Sequence, residues 1–408
     1  MSAPGVTSGT VSPWQAEAAP FVAGEVPAEA DVVVVGAGVT GAATAWALSD
    51  EAPGACVVVL DAHGPAHGAS GRNAGFLLLG THVDYAAAVD AVGHAAARRW
   101  LTLTRENLAL VVRLGETADL RMGLPGSVIG AGSLAEAERL RRAGALLAAD
   151  GVASEWLDPP EAATRLGVRG LDGALWIGEG GFIDPVRLVR AALAQSGATV
   201  VGGTTVTSVA ADGDAVRVGL ADGRTIHSPR VAVCLNAWLP TLLPGVPVRP
   251  VRAQMLVTEP LARPATSSGA PLLPAPLYSH EGYFYTRFRP DGRLLMGGAR
   301  HLHRDAEVGY DDATTDGLQR DLEAYLADHL SLRGVRVERR WSGTMGFSPD
   351  DLPFVAGVPG VPGAVAVGGF TGHGMGLGLR VGRLVARRLL GRADEADDLL
   401  DARRLAAG

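Results

Sequence analysis

The chain has 408 residues, 47% apolar and 19% charged, a balance that predicts a folded globular protein of two or three structural units and excludes a disordered one. The formal net charge is −7 and every basic residue is an arginine, without long basic runs, so we expect no nucleic-acid or membrane partner. Because no run of about 18 apolar residues occurs and the first arginine is Arg72, we expect neither a membrane span nor a signal peptide, hence a cytoplasmic protein.

The folded part of the chain is predicted to begin near residue 31. Residues 1–30 lack hydrophobic periodicity and are interpreted as a mostly irregular lead-in. Two apolar β-branched runs follow, at 31–35 and 56–61, and predict strands buried on both faces. A helix of small residues, running to Leu48, lies between them. This strand, turn, helix and strand order is typical of a nucleotide-binding unit.

The turn between that strand and helix reads GAGVTG. Gly36 permits a tight turn, Gly38 lets the backbone approach a pyrophosphate, and Gly41 lets the helix pack close to the strand. Asp61 follows 20 residues after Gly41, at the end of the second strand, where its carboxylate can accept ribose hydroxyls. The alternative is an aspartate that merely ends a strand, but the whole context favours a dinucleotide site.

The remaining elements are predicted from periodicity and turn residues. A helical region over 85–149 and a helix over 185–196 come first. Short strands within 199–235 follow, with hairpin tips at Asp212-Gly213 and Asp222-Gly223, and then an irregular proline-rich stretch over 244–276. The last elements are a hairpin about 290–292, a helix over 314–330, a strand over 364–370 and a helix to about 390. This order predicts a nucleotide domain assembled from both ends of the chain, with a second domain inserted.

Two further glycine-rich stretches bear on the choice of dinucleotide. HGASGRNAGF (67–76) follows Asp61, and GGFTGHGMG (368–376) precedes the last helix. A nicotinamide enzyme has no use for a second glycine turn near the end of the chain. A flavin does, because amides at a helix start can stabilise the negative charge of its reduced form. The alternative is that these glycines only pack a strand against a helix.

These motifs together resemble one known family. GAGVTG with Asp61, GASGRNAGF, CLNAW (234–238), PDGRLLMGG (290–298), WSGTMGFSPDDLP (341–353) and GGFTGHGMG occur in the order found in the FAD-dependent amine and D-amino-acid oxidases. That family includes glycine oxidase, sarcosine oxidase and γ-glutamylputrescine oxidase. The resemblance spans about residues 30–390.

The resemblance implies an α/β fold, in which a Rossmann-like FAD-binding domain carries an inserted substrate domain with an antiparallel sheet. The FAD-binding domain would take residues 31–85, 185–243 and 350–408, and the substrate domain residues 86–184 and 244–349. The residues implied to contact FAD are Gly36, Gly38, Gly41, Asp61, Ala69, Ser70, Arg72, Asn73, Gly75, Val206, Gly372, His373, Gly374 and Met375.

The chain also departs from the family. Amino-acid oxidases of the family carry an arginine after the W-x-G motif that binds the substrate carboxylate, whereas here Thr344 and Met345 follow Trp341-Ser342-Gly343. We therefore expect an amine substrate, or one whose carboxylate lies far from the reacting carbon, because burying an unpaired anion is costly. Arg72 stands where some relatives have the histidine that binds flavin covalently.

The cysteines also argue against a covalent flavin. Cys56 and Cys234 lie in apolar runs, are expected to be buried, and are not near the last glycine run. We therefore predict FAD held without a covalent bond. The chain has no lysine, whereas sarcosine oxidase uses one for the reaction with oxygen. O2 as the electron acceptor is thus less firmly implied than the oxidation of the amine.

The strand YFYTRF is the informative part of the predicted substrate face. Extended backbone places Tyr283, Tyr285 and Arg287 on one face and the intervening residues on the other. One of these two sets of side chains can cover the flavin, and Arg300, at the end of the partner strand, can lie beside it. Either Arg287 or Arg300 can reach a substrate anion that is far from the reacting carbon. The alternative is an ordinary half-buried sheet face. His373 is a candidate proton-handling residue, or a loop histidine with a structural hydrogen bond.

The sequence therefore predicts an FAD-dependent oxidoreductase that oxidises the C–N bond of a small amine or amino-acid-like substrate by hydride transfer to flavin N5. The candidate catalytic residues are Tyr283, Tyr285, Arg300, Met345 and His373, and no metal site is predicted. The alternatives are an FAD-dependent 2-hydroxy-acid dehydrogenase and a flavin-binding protein without turnover.

Overall fold

A computed structural model of the chain describes residues 6–8, 10–262, 266, 269 and 271–406. In these residues the strands are β1 (Val6–Ser8), β2 (Val32–Val35), β3 (Val57–Leu60), β4 (Phe76–Leu77), β5 (Ser127–Gly130), β6 (Ser154–Leu157), β7 (Ala174–Ile177), β8 (Gly181–Phe182), β9 (Thr199–Val201), β10 (Val206–Asp212), β11 (Ala215–Leu220), β12 (Thr225–Ser228), β13 (Val231–Val233), β14 (Arg249–Thr258), β15 (Leu277–Ser279), β16 (Phe284–Phe288), β17 (Leu294–Gly298), β18 (Ala313–Thr315), β19 (Val337–Phe347), β20 (Phe354–Gly357) and β21 (Ala364–Gly368).

The α-helices of the same residues are α1 (Pro13–Ala16), α2 (Val39–Glu51), α3 (Tyr85–Val92), α4 (His94–Gly115), α5 (Leu134–Ala149), α6 (Pro159–Leu166), α7 (Pro185–Ser196), α8 (Leu239–Leu242), α9 (Asp316–His329) and α10 (Gly374–Leu389). Short 3-10 turns lie at Ala69–Gly71, Asn236–Trp238, Arg300–Leu302 and Ala402–Ala406. None of these helices is long and apolar enough to cross a membrane.

A six-stranded sheet in the order β20-β21-β13-β2-β3-β9 forms the first layer. All neighbours in it are parallel except β20 and β21. Val32 and Val34 pack in one core with α2 and α10, whereas Val33 and Val35 pack against the meander β10-β11-β12 on the other face. Burial on both faces explains why these strands are uninterrupted runs of valine.

An eight-stranded sheet in the order β19-β14-β17-β16-β15-β5-β7-β6 forms the second large layer. Its pairs are antiparallel except β5 with β15. Phe284 and Phe288 of β16 join Leu318 and Leu322 of α9 in a separate core on one face. Met255 of β14, on the other face, lines the candidate site.

This combination of a mostly parallel sheet and a large, mainly antiparallel one confirms the predicted fold class. The strands of the six-stranded sheet come from the ranges 31–85, 185–243 and 350–408, and those of the eight-stranded sheet from the rest of the chain. We therefore keep the predicted division into domains as a proposal.

Most of the predicted elements are present with small changes of boundary. Confirmed are the strands and helix of the first unit, α7, the hairpin tips after Asp212 and Asp222, the hairpin about 290–292, α9, β21 and α10. The helical region over 85–149 was wrong in one part, because β5 interrupts it. β5 is four residues long and pairs with β7 and β15, which are distant in sequence, so periodicity cannot reveal it.

The prediction of an irregular stretch over 244–276 was also wrong in part. Its residues 263–265, 267, 268 and 270 lie outside the described ones. The ten-residue strand β14 occupies 249–258. Pro250 is tolerated because it lies near the start of that strand, where one lost donor matters least. Cys56 is exposed rather than buried, because it precedes β3 instead of lying within it.

The lead-in, of which residues 1–5 and 9 lie outside the described ones, is more ordered than predicted. β1 pairs with β18, and Ser12 caps α1 together with Gln15, an S-x-x-Q pattern that is readable in the sequence. Trp14 is 3% exposed and donates from Nε1 to the carbonyl of Asn73 at 2.9 Å. This segment therefore packs against the loop that carries several of the predicted FAD contacts.

Candidate active site

A cavity of about 760 Å3 lies at the carboxyl ends of β2, β3 and β13. We call it the dinucleotide cavity, since the carboxyl edge of a parallel sheet is where open α/β folds bind such ligands. Its wall includes these predicted contacts: Gly36, Gly38, Asp61, Ala69, Ser70, Arg72 and Val206.

The turn after β2 has no room for side chains at two of its glycines. Gly36 has φ +103°, and a Cβ there would lie 2.7 Å from the carbonyl oxygen of Cys234. A Cβ on Gly41 would lie 1.9 Å from the carbonyl oxygen of Gly36. Helix α2 therefore starts directly against the turn, and its positive end is directed at the cavity. Gly41 does not line the cavity; it lets α2 pack closely against the turn that does.

Asp61 is held in place by backbone amides. Its Oδ2 accepts from Ala37 N at 2.9 Å, and its Oδ1 accepts from His63 N at 2.9 Å and Gly64 N at 2.8 Å. A carboxylate has about four acceptor sites, so at least one stays available to a ligand hydroxyl. The aspartate thus both orders the turn and presents an oxygen to the cavity that it lines.

The loop after β3 is stabilised by its own side chains. Val39 N, at the start of α2, donates to Ser70 Oγ at 2.9 Å. Asn73 donates to the carbonyls of Ala69 and Ser70 and accepts from Gly75 N at 2.7 Å. The polar groups of Ser70 and Asn73 therefore shape the loop, and the backbone forms much of the surface offered to a ligand.

Arg72 joins four segments of the chain at the boundary of this cavity. Its side chain is 8% exposed and donates to Asp312 Oδ1 at 2.8 Å, to the Ser342 carbonyl at 3.0 Å, to Thr10 Oγ1 at 3.1 Å and to the His67 carbonyl at 3.0 Å. Arg72 also holds the pKa of Asp312 below its usual range, although burial opposes this. The residue is primarily a structural junction, which its motif did not reveal.

A second cavity, of about 590 Å3, adjoins the first. The two share Ala69, Arg72 and Gly343 as wall residues, so one extended ligand can occupy both. We call it the aromatic cavity. Its floor is a row across the eight-stranded sheet, in which Tyr278, Tyr285, Gly297 and Met255 lie side by side on β15, β16, β17 and β14.

Tyr278 and Tyr285 stack at 5.6 Å between ring centroids, and the edge of Phe76 meets the ring of Tyr278 at 5.2 Å. The ring of Tyr285 lies over Gly297, where a Cβ would approach it to 2.2 Å. Burial raises the pKa of Tyr285 to about 12 and raises that of Tyr278 as well. Both phenols are therefore neutral, and the floor is apolar with neutral hydroxyls.

Arg300 is the exceptional charge of the aromatic cavity. Its guanidinium lies over the rings of Tyr283 at 5.8 Å and Phe347 at 5.1 Å, and no hydrogen bond or ion pair of its side chain occurs among the described residues. Burial lowers its pKa, and its charged neighbours Arg304 and Arg249 lower it further. A partly buried cation without an anion calls for an anionic ligand.

The expectation that Arg287 could reach a substrate anion was wrong. Its side chain is buried and donates to the carbonyls of Ala74, Ile183 and Phe288 at 2.7, 3.1 and 3.2 Å. The guanidinium also lies 4.7 Å from the ring centroid of Phe182, and burial lowers its pKa to about 9. The alternation along β16 was read correctly, but the loop that follows Asn73 covers Arg287.

The residues before α10 close the aromatic cavity on the side opposite the sheet. Gly372, His373 and Met375 line it, and a Cβ on Gly372 would lie 3.3 Å from the sulfur of Met345. His373 precedes the first turn of α10, and burial, together with the nearby His82, lowers its pKa to about 4. The imidazole is therefore neutral at pH 7.

The structure thus brings the predicted site residues together, with a few exceptions. Tyr283, Tyr285, Arg300, Met345, His373, Gly372, Met375 and Asn73 line the aromatic cavity. Gly41, Gly75 and Gly374 lie outside both walls; Gly75, for example, packs on the carbonyl of Ile183. Sequence reasoning missed Thr10, Phe76, His82, Met255, Tyr278 and Asp312. Of these, Phe76 ends the motif HGASGRNAGF, so it could have been included, and Tyr278 lies in a short apolar stretch that is typical of a strand.

The two cavities fit the two halves of FAD. The first offers a glycine turn at a helix start and a carboxylate at a strand end, which suit a pyrophosphate and a ribose. The second is flat, lined by aromatic rings and apolar side chains, and faces the positive end of α10, which suits a flavin ring that gains negative charge.

Comparison with known proteins agrees with this site. A family model described as "DAO: FAD dependent oxidoreductase" matches residues 31–388. "Probable oxidoreductase OrdL" of Rhizobium meliloti (strain 1021) is 28% identical over 388 residues, covering 90% of this chain and 85% of that protein. The crystal structure of glycine oxidase from Geobacillus kaustophilus matches with a TM-score of 0.78 at 21% identity, over 93% of this chain and 98% of the other. L-proline dehydrogenase from P. horikoshii matches with 0.77 at 20%, over 94% and 99%.

Proposed function

The chain belongs to the DAO family of FAD-dependent oxidoreductases, and from this premise we propose that it oxidises the C–N bond of an amine or amino-acid-like substrate to an imine. FAD, when bound, supplies the hydride acceptor. The observation that carries the proposal is the guanidinium of Arg300, which faces an aromatic cavity next to the dinucleotide cavity and has no carboxylate partner among the described residues. The names of the two similar structures, glycine oxidase and L-proline dehydrogenase, denote amino-acid substrates and support the proposal.

We assign the binding of FAD to the residues that form the two walls. The turn at Gly36 and Gly38 with the start of α2 would hold the pyrophosphate, Asp61 a ribose, and the residues Gly372–Met375 the flavin edge. Gly41, Gly75 and Gly374 would act indirectly, by letting backbone segments pack closely.

Arg300 would bind the substrate carboxylate and so orient the amine. A charge-assisted, bidentate contact suits a planar guanidinium. Because Thr344 and Met345 of β19 stand where the family resemblance implies an arginine, the anion would be held from the 3-10 turn after β17 rather than from β19. We therefore keep the expectation that the carboxylate lies several atoms away from the reacting carbon.

The aromatic floor would favour the reactive form of the amine. Tyr278, Tyr285 and Phe76 exclude water, and an amine in such surroundings loses its proton more readily, because burial penalises the ammonium. Tyr283, whose hydroxyl accepts from Arg304 at 2.8 Å, would position the guanidinium of Arg300 that lies over its ring. Neutral His373 would leave the bound amine unprotonated.

The test is anaerobic reduction of the flavin by matched probes: 4-aminobutyrate, propylamine, sarcosine and lactate. We expect 4-aminobutyrate to reduce the flavin faster than propylamine and sarcosine, and lactate not to reduce it. Reduction by lactate alone would favour a 2-hydroxy-acid dehydrogenase, and reduction by none of these or of a wider amine panel would refute the proposal. Fast reduction by sarcosine would show that Arg300 binds a carboxylate beside the reacting carbon.

We also propose that FAD is bound without a covalent bond and that O2 can accept the electrons. Burial raises the pKa of Cys234 to about 12, so the thiol in the dinucleotide cavity is not a nucleophile. Acid precipitation should leave a colourless pellet; a yellow one would point to His63 or His67, which also line that cavity.

The role of O2 is tested separately. Air is admitted to the substrate-reduced protein, and the rate of flavin reoxidation is compared with the rate given by an artificial electron acceptor.

A further inference from the structure

A third, smaller cavity of about 80 Å3 continues from the aromatic cavity. We call it the side cavity. His82, Tyr278 and His373 line both, so the two spaces adjoin. Its far wall is aliphatic and comes from α4, α5 and β7, with Leu101, Leu140, Leu147, Leu175 and Ile177.

Two consecutive residues on its wall have polar atoms without partners. Thr81 Oγ1 and His82 Nδ1 are both buried and make no hydrogen bond within the described part of the chain. Thr81 is 8% exposed, so its hydroxyl has no access to bulk water. Native proteins rarely leave such atoms unsatisfied, and each exception calls for a bound group that supplies the missing partner.

The carboxylates nearest to these two atoms are already satisfied. Glu136 accepts from the backbone N–H of Gly132 at 2.7 Å and of Glu281 at 2.8 Å, one bond to each oxygen. Asp84 caps α3 and pairs with Arg139 at 2.6 Å. Thr81 Oγ1 and His82 Nδ1 thus remain the fully buried side-chain atoms of this wall that lack a partner among the described residues.

The chemistry of these two atoms defines the missing partner. A hydroxyl and an imidazole can each donate or accept, and burial lowers the pKa of His82, although Asp351 opposes this. Their natural complement is an uncharged group with both a donor and an acceptor. A volume of about 80 Å3 holds roughly three non-hydrogen atoms, on the basis of about 30 Å3 for each water in the liquid.

We propose that the side cavity is a substrate subsite for a short arm of about three non-hydrogen atoms that ends in a hydroxyl or a carboxamide. The arm hydrogen-bonds Thr81 Oγ1 and His82 Nδ1, and its carbon atoms contact the aliphatic wall. This subsite rests on the proposed function, since the arm belongs to the amine whose C–N bond is oxidised.

The experiment compares two pairs of probes that differ only in hydroxyl against methyl: 3-aminopropan-1-ol with butylamine, and homoserine with norvaline. Rates of anaerobic flavin reduction and apparent dissociation constants are measured for the wild-type holoenzyme, for Thr81→Val, and for Thr81→Ser. We expect the wild type to prefer the hydroxyl member about tenfold, Thr81→Val to lose most of that preference, and Thr81→Ser to retain it. A second variant, Ile129→Phe, fills the side cavity and should slow the hydroxyl members.

Equal rates for both members of each pair in the wild type would overturn the subsite and show that the cavity holds water only. An unchanged preference in correctly folded, FAD-loaded Thr81→Val would also overturn it. If other amines reduce the flavin but none of these four probes does, the subsite is refuted and the proposed function stands. If no amine reduces it, the proposed function itself has failed.

Discussion

The two large cavities differ in what forms them. The dinucleotide cavity is built mainly from backbone: a glycine turn, a helix start and a carboxylate held by three amides. The aromatic cavity is built from side chains. Within the described part of the chain its cation, Arg300, has no anionic partner, and Thr81 and His82 beside the cavity have polar atoms without a hydrogen bond. The first cavity is complete before its ligand arrives, whereas the second is completed by its ligand. Cofactor recognition is therefore fixed by local geometry, and substrate selection by unsatisfied side chains.

The largest expected effect tests the backbone origin of the first cavity. Gly36→Ala should abolish FAD retention, with a cost of about 3 kcal/mol or more, because the new Cβ combines positive φ with a contact 2.7 Å from a carbonyl oxygen. The matched control is Gly54→Ala, where φ is +86° but nothing lies within 4 Å of the new Cβ. The flavin absorption of the purified proteins measures the difference; equal FAD content would mean that the turn is not shaped by this contact.

The second prediction tests the unpaired charge of the other cavity. Arg300→Gln should lower the efficiency of flavin reduction by 4-aminobutyrate about 100-fold and change that by propylamine by less than about threefold, because only the former carries an anion. Arg333→Gln is the control, since Arg333 is exposed and lies outside both cavities. Equal losses with both probes would assign Arg300 to packing instead of carboxylate binding.

The third prediction concerns the carboxylate of Asp61 in the dinucleotide cavity. Asp61→Asn should weaken FAD binding about tenfold, near 1.5 kcal/mol, because a charge-assisted acceptor becomes a neutral one. Asn keeps one oxygen for the surrounding amides, so the melting temperature without FAD should change little. Equilibrium titration of the apoprotein with FAD checks this, and an unchanged dissociation constant would remove Asp61 from the ribose site.

The smallest expected effect is on pH dependence. The pKa of His373 falls from its ordinary value near 6.5 to about 4 in the folded protein, so the unfolded chain binds more protons between these limits. Neutral His373 therefore makes its full contribution to the free energy of unfolding above pH 6.5. This contribution is lost as the pH falls towards 4, because protonation then favours the unfolded chain. His373→Asn should remove a slope of at most about 1.4 kcal/mol per pH unit in that window, measured by denaturant unfolding of the FAD-loaded protein. An identical slope in the variant would mean that His373 is solvated.

What could be predicted from the sequence follows the same division. Gly36, Gly41 and Asp61 act through spacings of a few residues to about 25, so pattern and spacing were sufficient to predict a tight turn at Gly36, close packing at Gly41 and a carboxylate beside the turn at Asp61. Arg287 and Arg300 show the opposite case. Both were predicted to be able to bind the substrate anion. Segments from distant parts of the sequence bury Arg287 against backbone carbonyls, whereas Arg300 has no anionic partner among the described residues.

The elements that escaped prediction depend on distant partners in the same way. β5 is specified by its neighbours β7 and β15 rather than by its own four residues. The lead-in is ordered by contacts of Thr10, Ser12 and Trp14 with residues 60 to 330 positions away, although the capping pattern of α1 was readable. Arg72 was predicted to contact the cofactor from its local motif, and it lines both cavities; its ties to the distant residues Thr10, Asp312 and Ser342 could not be predicted from that motif.

The wall of the dinucleotide cavity extends from Val35 to Thr344, which has a consequence for synthesis of the protein. On the ribosome, the glycine turn emerges about 300 residues before the last part of the wall. β13, which pairs with β2, is made about 200 residues after it, and β21, which pairs with β13, follows later still. Such long-range pairing forms slowly. The valine run of β2 therefore keeps one open edge while about 200 residues are added, a state prone to aggregation. We therefore expect FAD to bind only after Thr344 has left the ribosome, and the yield of holoprotein to rise with chaperone capacity.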